Sequence, residues 1–445
     1  MEIKIFSTEI FVFSGIFLSL LFFLFSKRIF YFYLISVLSH LISIFSEFYL
    51  LRNKVSGEIY FLKFSFEGEV LSIILIFSSL ISIFLFLDYY KKEIIKREIP
   101  FLILNSLLAI LILIKSNNLF ISFLAIEYLS ITIYSMIISF KECELGIEAL
   151  LKYFILSSFS SLLILFSLSI LYLNSSNLNY HFLMEKEFYP LHLLGIIFLF
   201  AGLSFKLLFV PFHLWTPDIF EALPFPFISY ISVVPKIGMF GFLYFLHENL
   251  NFDVLYIGII SIITASIGNI SALIERKLKR VFAFSTVAHS GYILLPFLSK
   301  SKVLFDALIF YLLIYSIMQS GIFLLLQNLK DENVKIEDLK NKTSLSFSFF
   351  SLIFLLSLTG IPPTGGFYGK FYIFSLCINE GYIFYVLIAF LNSVISAYYY
   401  LRIAGEIFKG KEKINLSILS NILIVLLTSL IILFGIYPEF INIVK

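Results

Sequence analysis

The chain has 445 residues, of which 60% are hydrophobic, 19% aromatic and only 14% charged, and its mean hydropathy is +1.00. Soluble domains carry roughly 25% charged residues, so a soluble globular protein is excluded, as are disordered and fibrous classes. A net charge of +3 gives no footprint for nucleic acid, and two cysteines, Cys143 and Cys377, are too few for a disulfide framework, a cysteine-rich zinc site or a cysteine-ligated iron–sulfur cluster on this chain.

The first apolar run, Ile10 to Phe25, is followed by its basic pair, Lys27 and Arg28, and has no small-residue cleavage pattern. It reads as a retained membrane span, not a secretory signal. In all, about fourteen stretches reach the ~20 apolar residues that cross a bilayer. They centre near Leu18, Val37, Ser79, Ala109, Ser130, Leu162, Leu199, Val234, Ala265, Val287, Tyr315, Leu355, Leu391 and Leu426. These runs are long and continuous, unlike the short alternating segments of a β-barrel. The expected fold is an all-α membrane protein of about 14 transmembrane helices in one polytopic domain, residues 1–445.

Two spans are interrupted. The seventh contains Val210-Pro211-Phe212-His213-Leu214-Trp215-Thr216-Pro217, and the twelfth contains Gly360-Ile361-Pro362-Pro363-Thr364-Gly365-Gly366. Proline removes a backbone donor and clashes with the preceding turn, so both helices must break there. Each broken span is fourth in a run of five, spans four to eight and then nine to thirteen. A unit with an odd number of spans repeats upside down. The pattern predicts two inverted five-helix repeats, residues 99–250 and 251–410, with three amino-terminal helices in 1–98 and a last helix in 411–445.

Of the 32 Lys and Arg, about 18 fall in loops after odd-numbered spans, and about 9 in the even loops and tails. The first group includes Lys91, Lys92, Lys96, Arg97, Arg276, Lys277, Lys279 and Arg280. Odd loops are therefore expected on the cytoplasmic or matrix side, and both termini opposite. Lys152, Lys206, Lys236, Lys370 and Arg402 remain inside spans, and Glu127 lies deep in the fifth. A charge at a span centre costs roughly 2.5–3.5 kcal/mol, so each needs a partner or a wet cavity. Lys152 and Arg402, near span ends, can snorkel or form structural salt bridges. Lys206, five residues before Pro211, and Lys370, seven after Pro363, flank the two breaks.

Three polar stripes share helix faces: Glu127, Ser130 and Tyr134; Ser229, Ser232 and Lys236; Ser285, His289 and Tyr292. Ser and Tyr alone would fit helix–helix hydrogen bonding. His289 fits a hydrogen-bonded core histidine or a proton relay. Gly365-Gly366-Phe367-Tyr368-Gly369-Lys370 has the wrong glycine spacing for a phosphate loop, and Phe371 replaces the needed hydroxyl.

The stretches Ala125-Ile126-Glu127-Tyr128-Leu129-Ser130, Glu148-Ala149-Leu150-Leu151-Lys152-Tyr153-Phe154, Gly202-Leu203-Ser204-Phe205-Lys206, Ser232-Val233-Val234-Pro235-Lys236 and Ala288-His289-Ser290-Gly291-Tyr292, together with the first break, resemble the proton-translocating membrane subunits of respiratory complex I. Within that family, Gly360-Ile361-Pro362-Pro363 and Gly369-Lys370-Phe371-Tyr372 resemble subunit N; the sister subunit M has a glutamate where Lys370 stands. The resemblance implies a fourteen-helix antiporter-like subunit. Glu127 and Lys206 would be its coupling pair, Lys236 its central proton carrier and Lys370 its terminal relay, with Lys152 and His289 as candidate further relays. It implies no cofactor on this chain, while NADH, FMN, iron–sulfur clusters and quinone are bound by other subunits of the complex. Partners are the other membrane-arm subunits, lipid and protons. Animal mitochondrial versions lack the first three spans, and low Met with more Glu than Asp favours the bacterial inner membrane over the mitochondrial one. The rival is a subunit of a free-standing cation/proton antiporter.

At about 4 Å and an effective dielectric near 20, a Glu127–Lys206 pair is worth about 4 kcal/mol. Moving one charge against 100 mV takes about 2.3 kcal/mol, so opening and closing such a pair is of the right size to drive a proton. The charge bias makes a topology prediction. A cysteine at Lys92 should react only from the cytoplasmic or matrix side, and one at Lys4 only from the opposite side. Labelling of both positions from one side would overturn the span count.

Overall fold

The computed structural model describes residues 7–25, 28–90, 97–140, 144–184, 190–250, 254–329, 331–341, 343–410 and 416–439. Lys4, Lys27, Lys91, Lys92, Lys96 and Cys143, used in the sequence reading, lie outside the described residues. In chain order the elements are α1 (Ser7–Phe25), α2 (Ile29–Arg52), the hairpin β1 (Gly57–Ile59) and β2 (Leu62–Phe64), α3 (Phe66–Tyr90), α4 (Glu98–Lys115), α5 (Leu119–Ile138) and α6 (Glu144–Ser175). There follow α7 (Tyr180–Met184), α8 (Pro190–Lys206), α9 (Trp215–Ala222), α10 (Phe225–Asn249), α11 (Val254–Ile274) and α12 (Leu278–Leu294). The chain closes with α13 (Val303–Leu326), α14 (Leu345–Thr359), α15 (Gly365–Asn379), α16 (Ile383–Phe408) and α17 (Ile418–Ile436).

Among the described residues, 12 helices are long and apolar enough to cross a membrane, and two shorter apolar helices are α8 and α14. Those two are the first halves of the proline-broken spans. Twelve whole spans and two interrupted ones make up the expected fourteen. The chain forms two compact units, Met1–Leu207 with Val234–Phe252, and Leu208–Val233 with Asp253–Lys445.

In the first unit, α6 and α8 pack along each other through small residues. Ser160 Oγ donates to the Gly202 carbonyl and Ser167 Oγ to the Gly195 carbonyl, each at 2.7 Å. A Cβ at Gly202 would lie 2.5 Å from Ile164 Cγ1, so only glycine permits this approach. In the second unit, α11 and α12 use the same device. Ser261 Oγ donates to the Gly291 carbonyl at 2.7 Å, and a Cβ at Gly268 would lie 2.6 Å from the Ala288 nitrogen. Lipid tails are as apolar as leucine, so helices in a bilayer associate through such close packing and hydrogen bonding.

Both breaks follow from local sequence. After α8 the chain loses regular helix until Trp215, with Leu208 at φ 64°. After α14, Gly360 at φ 84° donates its N–H to the Leu356 and Ser357 carbonyls and closes the helix as a left-handed cap. In the first turn of α15, the Gly366 N–H donates to Ser357 Oγ at 3.2 Å.

At one edge of the second unit an ionic network ties the end of α9 to the start of α12. Arg280 reaches Asp218 and Glu221 at 3.1 Å and Glu275 at 2.9 Å, and Lys277 also donates to Glu221. Burial alone would raise the Glu221 carboxyl, but hydrogen bonds from Lys277 and Arg280 and their charges outweigh it, holding it below the ordinary glutamate value. A depressed carboxyl stabilises the fold above its unfolded-state pKa and loses that contribution as pH falls through the folded value. The network is partly exposed, so Glu221→Gln should cost about 1 kcal/mol near neutral pH. Thermal denaturation of the purified protein should show this deficit closing as pH drops below the ordinary glutamate range; a deficit independent of pH would refute the assignment.

Candidate functional site

The first group of candidate residues lies on α5, α6 and α8. Lys206 is the last residue of α8. Its backbone ends the helix, and its side chain reaches to two neighbouring helices. Lys206 Nζ donates to Ser130 Oγ on α5 at 2.6 Å and to Ser157 Oγ on α6. One turn along α6, Ser161 Oγ donates to Glu127 Oε1 and also points at the Ser157 carbonyl at 3.0 Å. Among the described residues, Glu127 and Lys206 make no direct ion pair. The serine ladder of α6, at i and i+4, stands between them. Each serine holds one of the two charges, Ser157 accepting from Lys206 and Ser161 donating to Glu127, so the pair keeps them apart.

Lys370 stands in the second turn of α15, and it reaches back across the break. Its Nζ donates to the carbonyl of Thr359, the last residue of α14, at 2.8 Å, and lies 4.7 Å from the centroid of the Tyr292 ring. Lys206 precedes its break and meets serines of α5 and α6, whereas Lys370 follows its own break and meets the carboxyl end of α14. Gly360 makes room for this: a Cβ there would come within 3.0 Å of Lys370 Cδ.

Lys236 follows Pro235 inside α10 and is 3% exposed. Pro235 has no N–H, so the helix ladder is opened one turn before it, beside the lysine's own segment. Ser232 Oγ turns back to the Ser229 carbonyl at 3.0 Å, and the buried Ser229 hydroxyl has no hydrogen-bond partner among the described residues.

His289 sits in a buried polar cluster of the second unit. Its Nδ1 is 2.8 Å from Tyr311 Oη and its Nε2 3.3 Å from Tyr400 Oη, while Tyr400 also bonds Ser285. Asn269 Nδ2 donates to Tyr292 Oη at 3.0 Å, and Tyr399 Oη donates to Asn269 Oδ1 at 3.0 Å. Tyr292 thus links this chain of hydroxyls to Lys370. All members of the Ser285, His289, Tyr292 stripe are engaged. The two basic residues near span ends behave differently: Lys152 pairs with Glu148 at 2.8 Å with both side chains exposed, and Arg402 lies 3.7 Å from Glu337.

Sequence reasoning missed the second unit's Asn269, Tyr311, Tyr399 and Tyr400, which carry no charge to betray them. It also counted Lys115 among the loops. Lys115 is 1% exposed and bonded to Glu9 and Glu47. All three are charged residues near span ends, which a helix-by-helix tally of terminal charges would have brought together. Among the described residues, no three His, Cys, Asp or Glu side chains converge as ligands for a metal ion.

The family profile described as NADH:quinone oxidoreductase/Mrp antiporter, TM, matches residues 116–396. NADH-quinone oxidoreductase subunit N 2 of Thermodesulfovibrio yellowstonii is 33% identical over 416 residues, covering 92% of each chain. Two solved structures share the fold. A chain of respiratory complex I from Thermus thermophilus with bound aureothin has a TM-score of 0.86 at 23% identity and 98% coverage of both chains. A chain of the Mrp complex from Dietzia sp. has a TM-score of 0.90 at 15% identity, covering 100% of this chain and 96% of that one.

The two left-handed glycines separate backbone strain from lysine placement. At Gly381, φ is 88° and nothing lies within 4 Å of an added Cβ, so Gly381→Ala should cost only the strain of about 1–2 kcal/mol. Gly360→Ala adds the collision with the Lys370 stem and should cost about 1–2 kcal/mol more, by the size of typical overpacking. Equal melting temperatures for the two variants would show that Lys370 does not need the Gly360 gap.

Proposed function

The chain belongs to the subunit N family of NADH-quinone oxidoreductases, and from that membership we propose that it is the proton-translocating membrane-arm subunit of such a complex, coupling electron transfer from NADH to quinone to proton movement. The observation that carries the reading is the placement of two lysines beside the breaks of interrupted helices within the bilayer. Charge at that depth is expensive and marks an ion path. In this reading Glu127 and Lys206 bias each other through the α6 serine ladder, Lys236 is the central carrier, and Lys370 passes protons on with the His289–tyrosine cluster beside it. Lys152, exposed and paired with Glu148, would serve as a relay only where a neighbouring subunit covers it.

NADH, FMN, the iron–sulfur clusters and quinone belong on partner subunits, and this chain supplies the proton-handling residues. Its neighbours are other membrane-arm subunits and lipid. The chain is integral to a membrane, and its bacterial relatives favour the bacterial inner membrane over the mitochondrial one. The five-helix runs at 99–250 and 251–410 are read as inverted repeats, since each places its broken helix fourth. A free-standing antiporter is not favoured: identity is 33% to a subunit N relative and 15% to the Mrp chain.

Lys236→Ala removes a buried titrating group, so NADH-driven proton uptake should fall about 10-fold or more in membranes with normal complex content. Lys236→Arg keeps charge but scarcely titrates, and should restore assembly better than turnover. Glu127→Gln should impair pumping without preventing assembly, and Glu127→Gln with Lys206→Met should assemble at least as well as either alone, because no buried charge is left unmatched. Normal proton stoichiometry in Lys236→Ala would make Lys236 structural.

A further inference from the structure

The four amino-terminal spans carry a buried charge cluster that the proposed pathway does not use. Lys115 Nζ lies 2.8 Å from Glu9 Oε1 and 2.7 Å from Glu47 Oε1, and Glu69 interacts electrostatically with Glu47, Lys115 and Glu9. Relative exposures are 1% for Lys115, 0% for Glu47, 1% for Glu69 and 8% for Glu9. Glu9 opens α1, Glu47 closes α2, Glu69 opens α3 and Lys115 closes α4. Alternating starts and ends put all four at one membrane face, the one the basic-residue bias assigns to the outside.

The β1–β2 hairpin lies over this corner. Phe64, 2% exposed, presents its ring 5.3 Å from Lys115 Nζ. Leu62 bridges to Ser116, and the Asn117 N–H donates to the Phe61 carbonyl at 2.7 Å. The hairpin is thereby fastened to the α4–α5 connection next to Lys115.

The charges do not balance. Three carboxylates face one ammonium, and Glu69 Oε1 has no hydrogen-bond donor among the described residues. Burying a carboxylate oxygen without a donor is strongly unfavourable, and a cluster with net negative charge must take up positive charge. The side chains do not gather as metal ligands. A proton is the cation that a single buried carboxyl oxygen can take up without further ligands.

We propose that Glu9, Glu47, Glu69 and Lys115 form a proton-holding site beneath the hairpin at the outer face, with Glu69 as the neutral acid. Uptake forms one O–H bond on a Glu69 carboxyl oxygen while an O–H bond of a hydronium ion of the outer aqueous phase breaks and leaves water, and the cluster gains one positive charge. The proposal does not rest on the pumping assignment, because the same imbalance must be met in a chain that moves no protons.

The groups around the site leave the count unchanged. Thr8 and Ser46 contribute only hydroxyls, 3.0 Å apart. Glu58 and Lys63 of the hairpin are exposed, Glu58 accepting from Asn117 at 3.2 Å, and Glu67 is half-buried. The end of α10 packs on this corner with Phe245 beside Gly68; it carries His247, and Glu248, which accepts from Tyr244 at 2.5 Å.

The test is infrared difference spectroscopy on the purified membrane complex containing the full chain, in H2O and D2O near neutral pH. Wild type minus Glu69→Gln should show the carbonyl stretch of one protonated carboxylic acid, shifted by deuterium. Glu69→Gln should assemble at the wild-type level, because the amide mimics the neutral acid, and Lys115→Met should gain carboxylic-acid signal as its cation is replaced by a proton. The proposal is overturned by a carboxylate band at Glu69 instead, by loss of assembly in Glu69→Gln with retention in Glu69→Asp, or by displacement of the acid band on titration with sodium or potassium.

Discussion

A helix that stops inside a bilayer leaves up to four carbonyls without partners and without water to replace them. Two such ends lie among the described residues, at Lys206 in α8 and at Thr359 in α14, and Lys370 meets the second, its Nζ donating to the Thr359 carbonyl. The ammonium is costly in hydrocarbon and the bare carbonyl end is costly too; placed together, each lowers the other's penalty. The break makes the end, and the end makes the buried Lys370 tolerable. Lys206 is held instead by hydroxyls of α5 and α6.

The rest of the helix packing holds those breaks still. Ser160 and Ser167 fasten α6 to glycine carbonyls of α8, and α6 also contributes Ser157 and Ser161 between Lys206 and Glu127. One helix therefore does both jobs, with its serines spaced at i and i+4 facing the site and others gripping the neighbour. In the second unit, Gly366 sits so close to Ser357 that a Cβ there would lie 1.8 Å from its carbonyl oxygen. That contact brings the start of α15 against the end of α14, and so brings Lys370 within reach of Thr359.

Spans, breaks and isolated charges were legible because each has a strong one-dimensional signature: apolar length, proline and glycine density, a lone Lys or Glu. What the sequence hid was pairing. Glu127 and Lys206 read as a direct ion pair, since nothing in the spacing announces that Ser157 and Ser161 of another helix intervene. Lys370 looked out of register with Lys206 until the reach across Gly360 was seen. Lys115 read as a loop residue because it ends α4, and only the fold brings Glu9, Glu47 and Glu69 to it from three other helices. Tyr311, Tyr399 and Asn269 give no sequence signal, being apolar-compatible residues whose hydroxyls and amides matter only once they converge.

The serine ladder also changes the energetics of coupling. A direct pair at about 4 Å is worth about 4 kcal/mol at an effective dielectric near 20, and doubling the separation with an interposed hydroxyl halves this to about 2 kcal/mol. That is close to the roughly 2.3 kcal/mol needed to carry one charge across 100 mV. The interposed hydroxyls keep the two charges apart without abolishing their interaction, and in the proposed function that is what lets each bias the other without a direct contact.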